Sequence, residues 1–350
     1  MDTAALIRQQ VLPGFAGLDG ATATPLGGGL INQTFLVERG GRRFVLQRLA
    51  PIFSPAINHN IVAVTSALAK AGLTTPRLLP ALDGRPWLDL GDEGGVWRLQ
   101  TFVEGACFDK LQSPAQAAAA GDLVARFHRA LDRLDHIFIG LREGVHDTEK
   151  HLARLREALA LHPHHRLMDK VAPLADAIAR RAEILAPLPE LPSRICHGDL
   201  KLNNILFAGT RAPLSEQAIC LIDLDTVGPM SLAHELGDAW RSWCNLSGED
   251  AVKAKIDLPV LDASFHGYAS AIGRALTEPE RQALLGSVEW ISLELASRFA
   301  ADALNESYFG WDPRHYPGRG EHNLVRSQGQ FALHGAFAAT RRDRAAILGF

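Results

Sequence analysis

His197, Asp199, Asn204, Asp223 and Asp225 are the residues of this chain whose types and spacing could do chemistry together. An aspartate can accept a proton from a hydroxyl, and an asparagine beside further aspartates supplies the hard oxygens that Mg²⁺ takes up. Asp199 and Asn204 stand five positions apart, with Leu200 directly after the aspartate. For Asp223 to join them the chain must fold back on itself. Ile195-Cys196 leads into His197, and Ile205-Leu206-Phe207 resumes an apolar strand after the two asparagines. A second apolar run, Ala218 to Ile222, ends on Asp223-Leu224-Asp225. The polar, turn-forming stretch Ala208 to Gln217 suits a hairpin between the two runs. That hairpin would set Asp199 and Asn204 beside Asp223.

The spacing His-x-Asp-Leu-x-x-x-Asn resembles the catalytic loop of protein kinases. There the aspartate receives the acceptor hydroxyl and the asparagine, with a later aspartate, holds Mg²⁺. Gly198 at the second position, and Ile222-Asp223-Leu224-Asp225 where those kinases carry Asp-Phe-Gly, resemble the aminoglycoside phosphotransferase and choline kinase-like family. Gly29-x-Ile31-Asn32-x-Thr34-Phe35-x-Val37, Val45-Leu46-Gln47-Arg48-Leu49, and Phe53-x-Pro55 followed by Asn60-Ile61 are similar to its N-acetylhexosamine 1-kinase branch, as is Leu221 to Val227. Two positions depart from that branch: Leu30, where a histidine is expected near the sugar, and Gly228-Pro229-Met230, where it has Met-Pro-Gly more often.

The resemblance implies an α+β, two-lobed, protein-kinase-like fold. Its N-lobe of antiparallel strands and one helix spans 1–102, and its mainly helical C-lobe spans 103–350. It implies ATP and Mg²⁺ as cofactors and a small-molecule sugar as acceptor. Asp199 becomes the catalytic residue, and Asn204 and Asp223 the metal ligands with Asp225 as a further one. Gly27, Gly28, Gly29, Gln47, Val103 and Glu104 fall to the nucleotide, and Ile31, Asn32, Arg298 and Tyr308 to the acceptor. His197 and Lys201 flank Asp199 as supporting groups, and Asp238, at the start of a helix, braces the catalytic loop.

The elements that must position these groups follow from local pattern. Leu26-Gly27-Gly28-Gly29 opens onto a strand through Val37, and Gly40-Gly41 turns the chain into Arg43 to Leu49. A glycine-rich mouth of this kind lets backbone N–H groups approach phosphates. No G-x-x-x-x-G-K-[ST] run is present, which excludes a P-loop. On the next strand the kinase pattern calls for a lysine paired with a helix glutamate. Alternation instead puts Gln47 in the cleft beside Val45, and the helix from about Pro55 to Lys70 has no acidic residue. Joint loss of both charges is coherent, since one left alone and buried would be costly. His59 or Asn60 is the expected neutral partner of Gln47. Phe102-Val103-Glu104-Gly105 is the expected hinge between lobes, with backbone groups for adenine, and Asp109 is either a ribose contact or a helix cap.

Beyond the hinge the pattern is helical. Ser113-Pro114 caps a helix whose apolar period, Leu123, Phe127, Leu131 and Leu134, runs through 136. His128 beside that stripe reads as structural, and His162-Pro163-His164-His165 as a loop without metal geometry. Further helices are expected over 147–160, 170–186 and 278–306. In the last, Glu294, Arg298, Asp302 and Asn305 form a polar stripe whose simplest account is i,i+4 ion pairing. Arg298-Phe299-x-x-Asp302 followed by Tyr308-Phe309 resembles the sugar-pocket wall of the same branch. Two of only three tyrosines, Tyr308 and Tyr316, fall in the loop 306–321. Aromatic groups beside a polar helix suit a pyranose.

Composition bounds the alternatives. At 350 residues two lobes or domains are expected. A net charge of −3 gives no nucleic-acid or membrane footprint. No signal peptide and no membrane span are read. Cys107, Cys196, Cys220 and Cys244 lack metal spacing and indicate a reducing, cytoplasmic setting, for a monomer or homodimer. Three other readings stay open: a kinase of an aminoglycoside, of choline or of another small alcohol; a catalytically silent nucleotide binder, because of Gln47; and a metal-dependent hydrolase using His197, Asp199, Asp223 and Asp225.

Overall fold

Two glycines in a row decide the first hairpin. Gly40 and Gly41 both have positive φ, 56° and 76°, as a two-residue turn matched to strand twist requires. The structure, a computed structural model, describes residues 2–27, 31–142, 144–209 and 215–350. Gly28, Gly29 and Leu30 of the expected phosphate mouth lie outside them.

The chain begins with α1 (Thr3–Leu6), continued by tighter and looser turns to Gly14. Then come β1 (Thr22–Pro25), β2 (Gln33–Arg39), β3 (Arg42–Arg48), α2 (Ile57–Lys70), β4 (Leu78–Leu79), β5 (Leu88–Asp89), α3 (Gly91–Gly94) and β6 (Val96–Thr101). The six strands form one antiparallel sheet in the order β1-β2-β3-β6-β4, with β5 also on β6. One face carries Val37, Phe44, Leu46, Trp97 and Leu99, covered by Leu6, Ile7, Val11 and Leu12 of the N-terminal helical segment. Each such side chain contributes about 1.5–3 kcal/mol by leaving water. The opposite face, with Gln47 and Arg98, is left for other work.

The C-lobe continues with α4 (Pro114–Leu131), α5 (Thr148–Leu161), α6 (Met168–Ile184), β7 (Arg194–Cys196), β8 (Ile205–Phe207), β9 (Ala218–Leu221) and β10 (Gly228–Met230). It ends with α7 (Leu232–Trp243), α8 (Leu258–Ala271), α9 (Glu278–Asn305), α10 (Arg319–Ala339) and α11 (Arg341–Leu348). α4 starts as its Ser113-Pro114 pair dictates, with the Ser113 hydroxyl accepting from the Gln116 N–H at 3.2 Å. It stops at Leu131, short of the predicted 136. Leu134 keeps the apolar period because it packs on the same core from a turn. α9 opens with a full capping box between Thr277 and Glu280 and packs against α5, α6, α7 and α10. Ile61, Val64 and Leu68 of α2 are buried in the C-lobe core with Leu123, Val124 and Phe127, so this helix ties the lobes together. Residues 102–105 connect the lobes, and Ala106 exchanges both backbone bonds with Phe207 at 2.9 Å. Among the described residues no helix is long and apolar enough to cross a membrane.

Candidate active site

The catalytic loop is held from beneath by one buried acid. β7 pairs with β10, and the chain turns at Gly198 with φ 82°. A Cβ there would lie 2.7 Å from the Thr226 carbonyl oxygen, which explains glycine at the second position of the motif. Glu235, on the first turn of α7 and 1% exposed, accepts the His197 and Gly198 N–H groups at 2.8 and 2.9 Å. His128 contacts the same carboxylate at 3.2 Å, and its other ring nitrogen meets the Tyr268 hydroxyl at 2.9 Å. Burial pushes the Glu235 carboxyl up, but the bond and charge of His128, the neighbouring His197 and the Gly198 amide outweigh it and hold the group below the usual range. The ligand atoms of His128, Cys196 and Glu235 lie within 4.8 Å of one another, yet the His and Glu are committed to these bonds. Burial drives the Cys196 thiol well above its ordinary value.

His197, fully buried, donates Nε2–H to the Ile222 carbonyl at 2.9 Å and accepts the Asp199 N–H on Nδ1 at 3.3 Å. One tautomer therefore serves the start of the loop and the end of β9 together. Trp243 donates to the Leu200 carbonyl at 2.7 Å, and the Leu202 N–H reaches the Ser242 hydroxyl at 3.0 Å.

Above this base the expected oxygens converge. Lys201 Nζ lies 2.7 Å from Asp199 Oδ2. Asn204 Nδ2 donates to the Asp199 backbone oxygen at 2.8 Å and to Oδ2 at 3.1 Å. β8 pairs with β9, and the Ile222 N–H bonds the Asn204 carbonyl at 2.9 Å, which brings Asp223 alongside as the hairpin predicts. Asp223 has φ 66°, one of two non-glycine residues in the left-handed region among those described. Strain of this kind persists where the surroundings impose it. Burial, then the neighbouring Asp225, raises the Asp223 carboxyl to about 6. Burial opposes the Lys201 ammonium, but Asp199 and Asp223 outweigh it and leave its pKa raised. The donor set fits a hard divalent cation. Asn204 uses its NH₂ on Asp199, so its side-chain oxygen is available, and Asp223 and Asp199 carry like charges that such an ion would relieve.

The nucleotide side departs from the expected pairing. Gln47 lies in register with Arg98 on β6, and its Oε1 accepts Arg98 Nε at 2.9 Å and Nη2 at 2.7 Å. Arg98, 2% exposed, forms an ion pair with Asp225 and reaches Asn58 Oδ1 at 3.5 Å. The helix residue in this network is Asn58, not His59 or Asn60. His59 packs edge-on against Trp87, and the Asn60 side chain binds Ile139 and His136. A helix turn places Asn58 toward the sheet and carries its two successors past it. Asn32 donates to Asp225 Oδ2 at 2.6 Å and accepts the Ala50 N–H at 2.9 Å. Its side chain thus addresses the metal loop. Ile31 is 53% exposed, and Gly27 has φ 72° at the described edge of the glycine mouth. At the hinge Val103 is half-buried, and the Glu104 carboxylate turns outward to pair with Arg43. Asp238 pairs with Arg241 at 2.8 Å, so the direct brace of the loop is Glu235, three residues earlier.

Two adjoining cavities lie nearby, the first of them against the loop. One, of about 410 Å³, reaches Gly198, Asp225, Thr226, His146 and His234. The other, of about 500 Å³, is lined by Arg154, Arg298, Asp302, Tyr308 and Phe309, and Arg142, Gly144 and Val145 border both. Asp302 does not reach into its cavity as a free acid. It accepts the N–H groups of Ser307, Tyr308 and Phe309 at 3.0, 2.9 and 2.8 Å and the Asn323 amide at 2.8 Å. Arg298 lies 3.7 Å from Glu294 and over the Phe309 ring, and Arg142 donates to the Tyr308 hydroxyl at 2.6 Å. Tyr316 is elsewhere, stacked on His322.

Solved structures with the same fold cover nearly the whole chain. A microcompartment-associated aminopropanol kinase superposes with a TM-score of 0.64 at 20% identity, over 96% of this chain and 98% of that one. An amicoumacin kinase, solved in complex with AMP-PNP, Ca²⁺ and Ami, gives 0.59 at 12%, over 89% and 88%. An aminoglycoside phosphotransferase from Alicyclobacillus acidocaldarius gives 0.55 at 20%, over 92% of each. At these identities the likeness establishes the two-lobed kinase-like fold. Residues 22–268 match the model of the phosphotransferase enzyme family, well over half of the chain. This protein belongs to that phosphotransferase enzyme family.

Proposed function

We propose that this protein transfers the γ-phosphoryl group of ATP to a hydroxyl of a small sugar, the anomeric hydroxyl of an N-acetylhexosamine-type acceptor. The observation that carries the reading is the junction of Asp199 with Asn204 at 3.1 Å and of Asn204 with Ile222, beside Asp223. Asp199 accepts or orients the hydroxyl proton, and Lys201 holds one of its oxygens in place. Asn204 and Asp223 are the residues that would hold Mg²⁺. When bound, the ion supplies neutralisation of phosphate charge. No covalent nucleophile is needed, because positioning and charge neutralisation carry most of such a transfer.

The acceptor wall favours a sugar over a polycation. Tyr308 and Phe309 offer apolar faces of the kind a pyranose ring covers. Among the described residues two acids line that cavity, Glu157 at an exposed position and Asp302, which is engaged by four donors, and the three arginines Arg142, Arg154 and Arg298 outnumber them. An aminoglycoside or choline would meet like charge there.

A coupled ADP-release screen over N-acetylhexosamines, free hexoses, aminoglycosides and choline with Mg²⁺ tests this directly. Turnover should require an N-acetylhexosamine-type sugar, and turnover on aminoglycosides alone would overturn the acceptor. Asp199→Asn should lower kcat by roughly 10²–10⁴-fold while nucleotide still binds. Unchanged turnover in that variant would remove Asp199 from the reaction.

A further inference from the structure

The cation missing from the Gln47 position of β3 stands one strand away, at the same rung. Gln47 and Arg98 are direct cross-strand partners, so their side chains leave the sheet on the same face. We infer that Arg98 is the phosphate-binding cation of the nucleotide site, and that Asp225 is its counterion when no nucleotide is bound. This rests on the phosphotransfer reading above and assigns the part of that site which the sequence leaves empty.

Three features carry the assignment. Gln47 orients the guanidinium from one edge, through Nε and Nη2 at 2.9 and 2.7 Å, but an amide dipole does not neutralise it. The charge is met by Asp225, which belongs to the other lobe. A buried pair that joins one lobe to the other can exchange its carboxylate for an incoming anion. The pairing is also incomplete. Asp225 Oδ1, though against Arg98 and buried, has no well-directed hydrogen bond. Asn58 is at the outer limit of contact, 3.5 Å. Arg98 therefore retains donor capacity beside Asp225, whose other oxygen is held by Asn32. A guanidinium in that position presents two N–H groups to phosphate oxygens, and its fixed fork suits a polyphosphate better than a neutral glutamine does.

The test compares ATP, ADP and adenosine binding by calorimetry, with Mg²⁺ and without acceptor, in the full chain. Arg98→Gln should weaken ATP and ADP by roughly 10–100-fold and leave adenosine unchanged, and Arg98→Lys should restore part of the loss. If Arg98→Gln leaves an uncompensated Asp225 and does not fold, the double variant Arg98→Gln/Asp225→Asn removes both charges and should show the same phosphate-selective loss. Asp225→Asn alone should bind ATP at least as tightly as the parent. ATP-to-adenosine selectivity equal to the parent's in the Arg98 variants overturns the inference. So does an Asp225→Asn variant that loses Mg²⁺-ATP as severely as Arg98→Gln, because Asp225 would then be holding the metal. A parent protein that binds no nucleotide refutes the phosphotransfer reading itself, whereas a parent that binds ATP beside an indifferent Arg98→Gln refutes only this assignment.

Discussion

Glu235 and Asp302 do the same job for two different loops of the C-lobe. Each is a buried carboxylate, 1% and 4% exposed, that gathers successive backbone N–H groups of a loop. Glu235 takes two from the catalytic loop and Asp302 three from the acceptor wall. Their surroundings differ. Glu235 is backed by His128, which is tied in turn to Tyr268. Asp302 has only neutral donors, with Asn323 as the fourth. The loops they fix also differ in what they present. The catalytic side gathers carboxylates around Lys201 and Arg98, and the acceptor wall presents arginines over aromatic rings. Both loops are thus fixed by a buried acid, and what distinguishes them is the charge of the groups they present.

Replacing Glu235 with glutamine should break this symmetry most severely. An amide cannot accept from both N–H groups and from His128, so a buried donor is stranded. The expected cost is about 1–3 kcal/mol or more, seen as a lower Tm, with kcat reduced by roughly 10²-fold from displacement of Asp199. A variant with parental Tm and turnover would show that Glu235 does not brace the loop. Asp302→Asn should be milder, on the order of 1–3 kcal/mol, and its kinetic signature should be confined to one substrate. The acceptor KM should rise about tenfold while the KM for ATP stays put. Equal movement of both constants would mean that the two clamps are not independent.

How far each side was legible follows from the distance over which its contacts act. The catalytic loop is local: His197, Asp199 and Asn204 lie within eight residues, and the β8–β9 hairpin that adds Asp223 needs only its turn. The Gly40-Gly41 turn is equally local and lies where expected, and α9 runs from Glu278 to Asn305 against an expected 278–306. Arg98 is different. It meets Gln47 across fifty-one positions, and nothing within β6 separates a cleft-facing arginine from a surface one. The one available signal was its rung in the sheet, which requires the β3–β6 register. Asp238 drew attention in place of Glu235 because both lie on the inner face of α7, three residues apart. Contact with the turn after β7 decides between them. The segment 140–147 carries no periodicity at all, yet it supplies Arg142 and His146 to the cavities.

The smallest expected effect is also the one that compares the two sides most directly, through pH. On the catalytic side the Asp223 carboxyl is raised to about 6 by burial and by Asp225. As pH falls from 6 toward the unfolded value near 3.8, the folded protein takes up a proton that the unfolded chain does not. Stability from this group therefore rises on acidification. In the first cavity His234, stacked on His146, is lowered to about 4 by burial and by that neighbour. Between 6.5 and 4 the unfolded chain gains a proton there that the folded protein refuses, so stability falls on acidification. Each contribution is on the order of 3 kcal/mol when fully developed, but the two are opposite in sign over nearly the same range, so the net effect is small and the metal-free protein should melt with a shallow pH dependence. Asp223→Asn should expose the histidine slope, with Tm falling from pH 6.5 to 4.5 more steeply than in the parent, and His234→Gln the carboxylate slope, with Tm rising. Saturating Mg²⁺ should act on the parent as Asp223→Asn does, because a metal-held carboxylate no longer takes up the proton. Parallel melting profiles in all four samples would mean that Asp223 and His234 do not contribute opposing proton linkage.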